Sequence, residues 1–254
     1  METLKIIRKD KYVICEIDNG KVNAIDIELS NDLITFFEQA EVDDSIEGVI
    51  LTGRPHCFSA GLNIMKLAAG VDAIKDFWRA HLRALQLMTS FSKPFIAAIT
   101  GYAPAAGTTL ACTADYRIMG RGKKHVIGMH EMKLSLVIPE LMVRLYSHWI
   151  GSTKSMECFL HSRLMQADEA LSIGLVNEAC EVEEVLPRAE ALMQQWTSYY
   201  VKANQNSKRY FKKELVQKLD MKIEPMIEEI LESALDPMTL QKMMEFQMQI
   251  KVKK

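Results

Sequence analysis

Two turns of small residues are the first places in this sequence that could do chemistry. Residues 58–63 (FSAGLN) and residues 104–109 (PAAGTT) each follow a short apolar run that predicts a buried strand. At such a turn, backbone N–H groups without an intrahelical acceptor point outward, with the positive end of a helix dipole behind them. Each turn could therefore polarise a carbonyl oxygen, although close packing of a helix on a sheet is the simpler explanation of one turn taken alone.

Templates for several other chemistries are missing from the sequence. Residues 57–61 (CFSAG) lack the first glycine of a G-x-S-x-G nucleophile elbow, which disfavours a serine hydrolase. No G-x-x-x-x-G-K-[ST] or G-x-G-x-x-G motif occurs, and the six histidines show no H-E-x-x-H spacing. We therefore expect neither a phosphate-binding loop nor a metal site.

Composition narrows the class of protein further. The 254 residues are 48% hydrophobic and 25% charged, as in ordinary globular proteins. The net charge of −2 argues against a nucleic-acid partner. The five cysteines are scattered without a C-x-x-C pair, so we expect neither a disulfide framework nor a zinc site. No apolar signal segment and no run of 18 uncharged apolar residues occurs, so we expect a cytoplasmic protein that does not bind a membrane.

Helix and strand patterns alternate along most of the chain and must position the two turns. Residues 4–7 and 12–17 predict a β-hairpin, and helical patterns later alternate with buried strands. This alternation predicts an α/β protein with a mostly parallel sheet. From residue 186 the pattern is almost wholly helical. The sequence therefore predicts a core of residues 1–198 and a C-terminal helical module of residues 199–254.

Six short segments occur in the order and spacing of one known family. They are VNA (22–24), FSAGL (58–62), KP followed by AAITG (93–101), AAG (105–107), ADYRI (114–118) and GLV (174–176). Together they resemble the crotonase, or enoyl-CoA hydratase/isomerase, superfamily. The resemblance implies a crotonase-like spiral of ββα units with a C-terminal helical trimerisation module. It also implies an acyl-CoA thioester as substrate, no separate cofactor, and a homotrimer or a dimer of trimers.

The resemblance assigns functional atoms residue by residue. The backbone N–H groups of Leu62 and Ala106 would form an oxyanion hole for the thioester carbonyl. Ala106 stands where the family typically has glycine, and an alanine N–H can still donate. The other residues expected along the substrate path are Asn23, Ala24, Ser59, Ala60, Gly61, Asn63, Ile64, Gly107 and Thr109. His130 could hydrogen-bond the neighbouring Glu131 or the substrate, although a structural role is the commoner one for a single histidine in a turn.

The acid/base residue decides which reaction the resemblance implies. Hydratases of this family use two glutamates, and one of their positions is matched here by Thr109, which cannot act as a carboxylate. The other lies in the segment matched by residues 127–134 (IGMHEMKL), which contains Glu131. A single carboxylate suits removal of a proton at one carbon and its return at another. The segments PAAG and IGMHE also resemble the P-A-G-G and I-G-L-N-E segments of the Δ3,Δ2-enoyl-CoA isomerase branch, so Glu131 is expected to serve an isomerase.

Alternatives remain open at this stage. The chain could be another crotonase-type acyl-CoA enzyme, such as a hydratase, decarboxylase or thioester hydrolase, or a catalytically silent acyl-CoA-binding scaffold.

Four basic residues of the helical module could contact CoA phosphates, although a solvated helix face is the better interpretation: Lys208, Arg209, Lys212 and Lys213. Methionines at near-helical spacing predict a core or a subunit interface: Met221, Met226, Met238, Met243, Met244 and Met248.

Overall fold

The structure is a computed structural model that describes residues 1–63, 70–199, 201–239, 241, 242 and 245. Its strands are β1 (Leu4–Arg8), β2 (Tyr12–Ile17), β3 (Gly48–Thr52), β4 (His56–Cys57), β5 (Phe95–Ile99), β6 (Gly101–Pro104), β7 (Tyr116–Gly120), β8 (Ile127–Gly128) and β9 (Glu178–Cys180). Its helices are α1 (Ile27–Val42), α2 (Val71–Ser90), α3 (Ala106–Cys112), α4 (Glu140–Ile150), α5 (Ser152–Leu160), α6 (Ala167–Ser172), α7 (Val182–Thr197), α8 (Val201–Leu219) and α9 (Ile223–Ala234), with a 3-10 helix at Glu131–Leu134.

The larger of two sheets has six strands in the order β1-β2-β3-β5-β7-β9. Strands β1 and β2 form the antiparallel hairpin that the sequence predicted, and every later pair is parallel. Every residue of β3 and of β5 is buried, as expected for parallel strands that helices cover on both faces. The prediction of an α/β fold with a mostly parallel sheet is confirmed.

Alternation along these strands sends side chains into two separate apolar clusters. Ile50 of β3 and Ile96 of β5 pack with Met193 of α7 on one face. Phe95 lies in the main core on the other face, and its ring centroid is 5.0 Å from that of Phe37 in α1. The larger sheet therefore lies between helices and carries the apolar core.

The smaller sheet has three short parallel strands in the order β4-β6-β8. Strand β4 leads into residues 58–63, β6 leads into residues 104–109, and β8 is followed by Glu131. Because parallel strands end at the same edge of a sheet, these three segments meet at one edge. The sequence analysis missed this sheet, since strands of two to four residues show no measurable alternation.

The C-terminal helices pack on their own chain. Helices α8 and α9 contact α2, and Gln86 of α2 donates hydrogen bonds of 2.7 Å to the Leu219 carbonyl and 3.0 Å to the Met221 carbonyl. Met226 is buried in the main core, whereas Met238 is 66% exposed. Met243, Met244 and Met248 lie outside the described residues. A trimerisation role for residues 199–254 and their separation from residues 1–198 stay predictions.

Two basic side chains of α8 correct the interpretation of a solvated helix face. The Nζ atoms of Lys208 and Lys212 each lie 2.7 Å from a carboxylate oxygen of Asp115, the residue before β7. Burial raises the pKa of Asp115, but the two ammonium groups outweigh it and hold that pKa below its ordinary value. These lysines therefore neutralise a buried carboxylate, while Arg209 and Lys213 are exposed.

Candidate active site

Two buried polar side chains shape the turn at residues 58–63. Asn23, with φ 50°, donates from its side-chain amide to the Phe58 carbonyl at 3.2 Å. The Ser59 hydroxyl donates to the Asn23 carbonyl at 2.7 Å and accepts from the Gly61 N–H at 3.2 Å. Both side chains are fully buried. Their hydrogen-bonding groups are thus used inside the protein, and they fix the backbone of the turn.

The Leu62 N–H is left free by the way this turn pairs with Ile25. The Ile25 N–H donates to the Gly61 carbonyl at 2.8 Å, and the Asn63 N–H donates to the Ile25 carbonyl at 2.8 Å. In a trans peptide the N–H points opposite to the preceding carbonyl. The Leu62 N–H therefore points away from Ile25, and it has no acceptor among the described residues.

The Ala106 N–H is presented in the same manner by the turn at residues 104–109. The Ala105 carbonyl accepts from the Thr108 N–H at 2.9 Å and from the Thr109 N–H at 3.2 Å. The Ala106 N–H, on the other side of that peptide, points away from α3 and has no acceptor among the described residues. Ala105 has φ 53° and ψ −121°, a strained conformation that costs about 1–3 kcal/mol in a residue with a Cβ.

Two glycines allow the turns to touch. A Cβ added at Gly61 would lie 3.2 Å from the Pro104 carbonyl oxygen and 3.8 Å from the Ala106 nitrogen. A Cβ added at Gly107 would lie 2.7 Å from the Ser59 carbonyl oxygen. The two free N–H groups therefore belong to turns in direct contact. Backbone donors in adjoining turns are the groups from which an oxyanion hole is built.

The Glu131 carboxyl lies beyond the end of β8, at the start of the 3-10 helix. Its Oε2 atom is buried and has no hydrogen-bond partner in the described part of the chain. Burial raises the pKa of this carboxyl to about 7, against a smaller opposing effect of the N–H groups of Glu131 and His130. Glu131 can therefore exist as an acid or as a base near neutral pH.

His130 adds a second unsatisfied polar atom beside Glu131. Its Nδ1 atom is buried and has no partner among the described residues. Burial, and to a smaller extent the charge of Lys133, lowers the pKa of the imidazole. The ring is therefore neutral near pH 7 and can hydrogen-bond to a bound molecule without contributing charge.

Comparison with known proteins identifies the family. The chain matches the enoyl-CoA hydratase/isomerase family model over residues 11–245. It is 31% identical over 208 residues to a protein of Rattus norvegicus named enoyl-CoA delta isomerase 1, mitochondrial, a match that covers 81% of this chain and 72% of that protein. The chain belongs to the enoyl-CoA hydratase/isomerase family.

The similar members of this family include proteins named as isomerases and proteins named as hydratases. A probable enoyl-CoA hydratase of Mycobacterium avium is 32% identical over 177 residues, which cover 69% of this chain and 68% of that protein. The crystal structure of human mitochondrial delta3-delta2-enoyl-CoA isomerase has the same fold, with a TM-score of 0.94, 23% identity and 99% coverage of both chains. The predicted crotonase-type fold is confirmed, while isomerase and hydratase names occur at similar identity.

The remaining residues assigned by the family resemblance fall into three groups. The Thr109 side chain is fully buried and donates to the Ala106 carbonyl at 3.1 Å, within the first turn of α3. Ala24 accepts at its carbonyl from the Asn19 side chain at 2.7 Å, and Ala60 donates from its N–H to the Val22 carbonyl at 3.0 Å. Ile64 lies outside the described residues. Contact of any of these residues with substrate stays a prediction.

Two residues close to Glu131 were not singled out from the sequence. The Thr108 hydroxyl is fully buried and contacts Gly128, three residues before Glu131. The Tyr146 hydroxyl is buried without a partner among the described residues, and burial, Cys158, Cys112 and Glu131 all raise its pKa. Nothing in the local sequence distinguishes either residue from ordinary core threonines and tyrosines.

The described ranges contain neither a set of metal ligands nor a membrane-spanning helix. No group of three or more His, Cys, Asp or Glu side chains in these ranges is placed to hold a metal ion. No helix in them is long and apolar enough to cross a bilayer. The expectation that no cofactor takes part stays a prediction.

Proposed function

We propose that this protein is an enoyl-CoA isomerase that moves a double bond from C3 to C2 of an enoyl-CoA thioester. The observation that carries the proposal is the Glu131 carboxyl, whose Oε2 is buried without a partner among the described residues. Its pKa of about 7 allows it to accept a proton and to give it back near neutral pH. The Leu62 and Ala106 N–H groups supply the matching site for a thioester oxygen.

The reaction requires one proton to change places. The Glu131 carboxylate removes a proton from C2 of the 3-enoyl thioester, and the electron pair moves onto the thioester oxygen to give a dienolate. The N–H groups of Leu62 and Ala106 stabilise this oxyanion, and loss of one such donor typically costs about 2.7–4 kcal/mol of barrier. The Glu131 carboxylic acid then protonates C4, and the electrons close the C2=C3 double bond. No oxidant, water or cofactor is consumed.

The absence of Asp and Glu from residues 102–114 disfavours hydration, the main alternative. Hydration must activate water and also protonate the α-carbon, for which hydratases that resemble this chain use two glutamates. Residues 102–114 contain no Asp or Glu, and Thr109 uses its hydroxyl within α3. Glu131 alone therefore suits proton transfer between two carbons better than addition of water.

We further propose that the turns at residues 58–63 and 104–109 contact the acyl-CoA through their backbone and not through their polar side chains. The side chains of Asn23 and Ser59 are fully buried and bonded within the first turn. Ala24, Ala60 and Asn63 lie on the same backbone and would line the path of the CoA chain. Gly107 would contribute by allowing the two turns to approach each other. His130 would form a hydrogen bond to the bound substrate.

We also propose a homotrimer or a dimer of trimers. Tyr199, Tyr210 and Phe211, on α8 or just before it, are 50%, 70% and 88% exposed. Tyr199 and Phe211 line one cavity, and exposed apolar patches are typical of protein–protein interfaces. Sedimentation velocity is expected to show three or six chains, and a stable monomer at micromolar concentration would contradict this assembly.

We propose a cytoplasmic location. All five cysteines are free thiols, as in proteins of reducing compartments. Relatives from Rattus norvegicus, Mus musculus and Homo sapiens are named as mitochondrial. Cell fractionation with detection of the native protein decides between these compartments, and recovery in mitochondria would refute the cytoplasmic assignment.

Substitution of Glu131 tests the proposed function directly. Glu131→Gln is expected to lower kcat for 3-hexenoyl-CoA by about a thousandfold, within the usual range for a lost acid/base group. Binding of butyryl-CoA, measured by calorimetry, is expected to persist because the amide keeps the shape of the carboxyl.

Glu140→Gln is the matched control. Glu140 is nine residues further on, and its half-exposed side chain pairs with Arg144. This variant is expected to keep kcat within about twofold, as surface substitutions usually do. Turnover by Glu131→Gln equal to that of Glu140→Gln would remove Glu131 from the mechanism.

A further inference from the structure

Thr108 lies between the turn that presents Ala106 and the strand that leads to Glu131. Its hydroxyl oxygen lies 2.7 Å from the Ala103 carbonyl oxygen and 3.0 Å from the Gly128 carbonyl oxygen. The same oxygen accepts a hydrogen bond of 2.8 Å from the Gly128 N–H. One buried hydroxyl therefore joins α3, the end of β6 and the end of β8.

Gly128 connects the Thr108 hydroxyl to the turn that presents Ala106 and to Glu131. Its φ of 137° lies in the region that favours glycine, and an added Cβ would lie 2.3 Å from the Arg163 carbonyl oxygen. Its own carbonyl accepts from the Ala105 N–H at 2.8 Å. Gly128 is thus bonded to the residue that orients the Ala106 N–H, and it is covalently three residues from Glu131.

We propose that Thr108 is a positioning residue whose hydroxyl sets the placement of the Glu131 carboxyl relative to the Ala106 N–H. The inference rests on the proposed function, since both groups must act on the same thioester. Thr108 is fully buried and bonded to backbone, so it acts through Gly128. A displacement of about 1 Å at a reacting group can cost about a hundredfold in rate. Loss of the hydroxyl therefore affects turnover more than binding.

Thr113, at the other end of α3, provides a matched control. It is also fully buried, and its hydroxyl donates at 2.7 Å to the Leu110 carbonyl within its own helix. Valine at either position keeps the branched shape and removes one buried hydroxyl. Only Thr108→Val breaks the bonds to Gly128, whereas Thr108→Ser keeps a hydroxyl there.

The experiment compares Thr108→Val, Thr108→Ser and Thr113→Val in the full chain with 3-hexenoyl-CoA and butyryl-CoA. Thr108→Val is expected to lower kcat about tenfold to a hundredfold, with butyryl-CoA affinity unchanged. Its kcat/KM is expected to titrate with a lower pKa than in the wild type, because a displaced Glu131 carboxyl gains water. Thr108→Ser and Thr113→Val are expected to resemble the wild type.

Specific results would overturn the inference. Equal kcat values and equal pH profiles for Thr108→Val and Thr113→Val would show that the Thr108 hydroxyl does not position the site. An equal loss in Thr108→Ser would assign the effect to packing of the methyl group. Should Thr108→Val not fold, Thr108→Ala with Thr113→Ala as its control replaces the pair, since the smaller side chain introduces no new contact.

A second readout separates failure of this inference from failure of the proposed function. Exchange of the α-hydrogens of butyryl-CoA in heavy water, followed by NMR, needs the base and the oxyanion hole but no double bond. A wild type that exchanges without isomerising 3-hexenoyl-CoA would refute the isomerase proposal, and exchange rates of the same variants would then test Thr108. A wild type that does neither overturns both.

Discussion

The two sheets of this protein are held together in different ways. In the larger sheet, whole strands are buried between helices, and side chains such as Phe95 supply apolar contacts. In the smaller sheet, strands of two to four residues are fixed by buried hydrogen bonds from side chains such as Asn23 and Thr108. The N–H groups of Leu62 and Ala106 and the Glu131 Oε2 atom, which have no partner among the described residues, occur at the edge of the smaller sheet. The longest buried apolar strands therefore belong to the larger sheet, and the groups that we propose to react lie at the edge of the smaller one.

Two features at the edge of the smaller sheet lower the stability of the fold. Ala105 holds a strained conformation in order to direct the Ala106 N–H outward, and burial of the Glu131 carboxyl disfavours its charged form. Both features cost stability, and such costs are typical of functional sites. The apolar packing around the larger sheet offsets them.

The strongest test of this difference removes one donor from the smaller sheet. Ala106 is the first residue of α3, where a proline removes the N–H without costing the helix a hydrogen bond. Ala106→Pro is expected to lower kcat by about a hundredfold to a thousandfold, the usual effect of losing one oxyanion donor. Circular dichroism must show a native fold, and near-normal turnover in a folded variant would exclude this N–H as an oxyanion donor.

A substitution in the larger sheet is expected to lower stability and to leave turnover unchanged. Phe95→Ala removes a fully buried ring, which should cost about 3–5 kcal/mol of unfolding free energy. Thermal unfolding is expected to shift down by about 2–4 °C for each kcal/mol. At a temperature where the variant is folded, kcat is expected to stay close to that of the wild type. A tenfold fall in kcat there would show that the two sheets do not divide these roles.

A smaller effect concerns the pH dependence of stability. The pKa of Glu131 is about 7 in the folded chain and 4.5 ordinarily, so the folded state binds more protons between these values. Stability is therefore expected to fall as pH rises from about 4.5 to about 7. Glu131→Gln removes this dependence, so the variant is expected to unfold at a higher temperature than the wild type at pH 8 and at a similar one near pH 4. A lower unfolding temperature at pH 8 would contradict burial of the charge.

The larger sheet could be predicted from sequence because β3 and β5 are continuous apolar runs between turns. The smaller sheet could not, because pairs such as Ile127 and Gly128 carry no periodic pattern. Lys208 and Lys212 were assigned to solvent because their partner, Asp115, lies far away along the chain. Helical periodicity describes one helix and not what packs on it.

The candidate site shows the same limit. The two turns and Glu131 could be singled out from motifs, since backbone donors and a carboxylate leave a local pattern. The burial of Glu131 could not, because its neighbours in sequence mix polar and apolar residues without a pattern, and the enclosure comes from other parts of the chain. Thr108 has the same residue type as Thr109 and Thr113, and its contacts with Ala103 and Gly128 distinguish it.

The most direct test of the central claim is the absorbance of the conjugated enoyl thioester after wild-type protein is mixed with 3-hexenoyl-CoA. An isomerase with a single carboxylate predicts a rise to a stable plateau, as the double bond moves into conjugation and no water adds. No rise, or a rise followed by a fall as water adds across the new double bond, would contradict the proposal that Glu131 alone serves an isomerase.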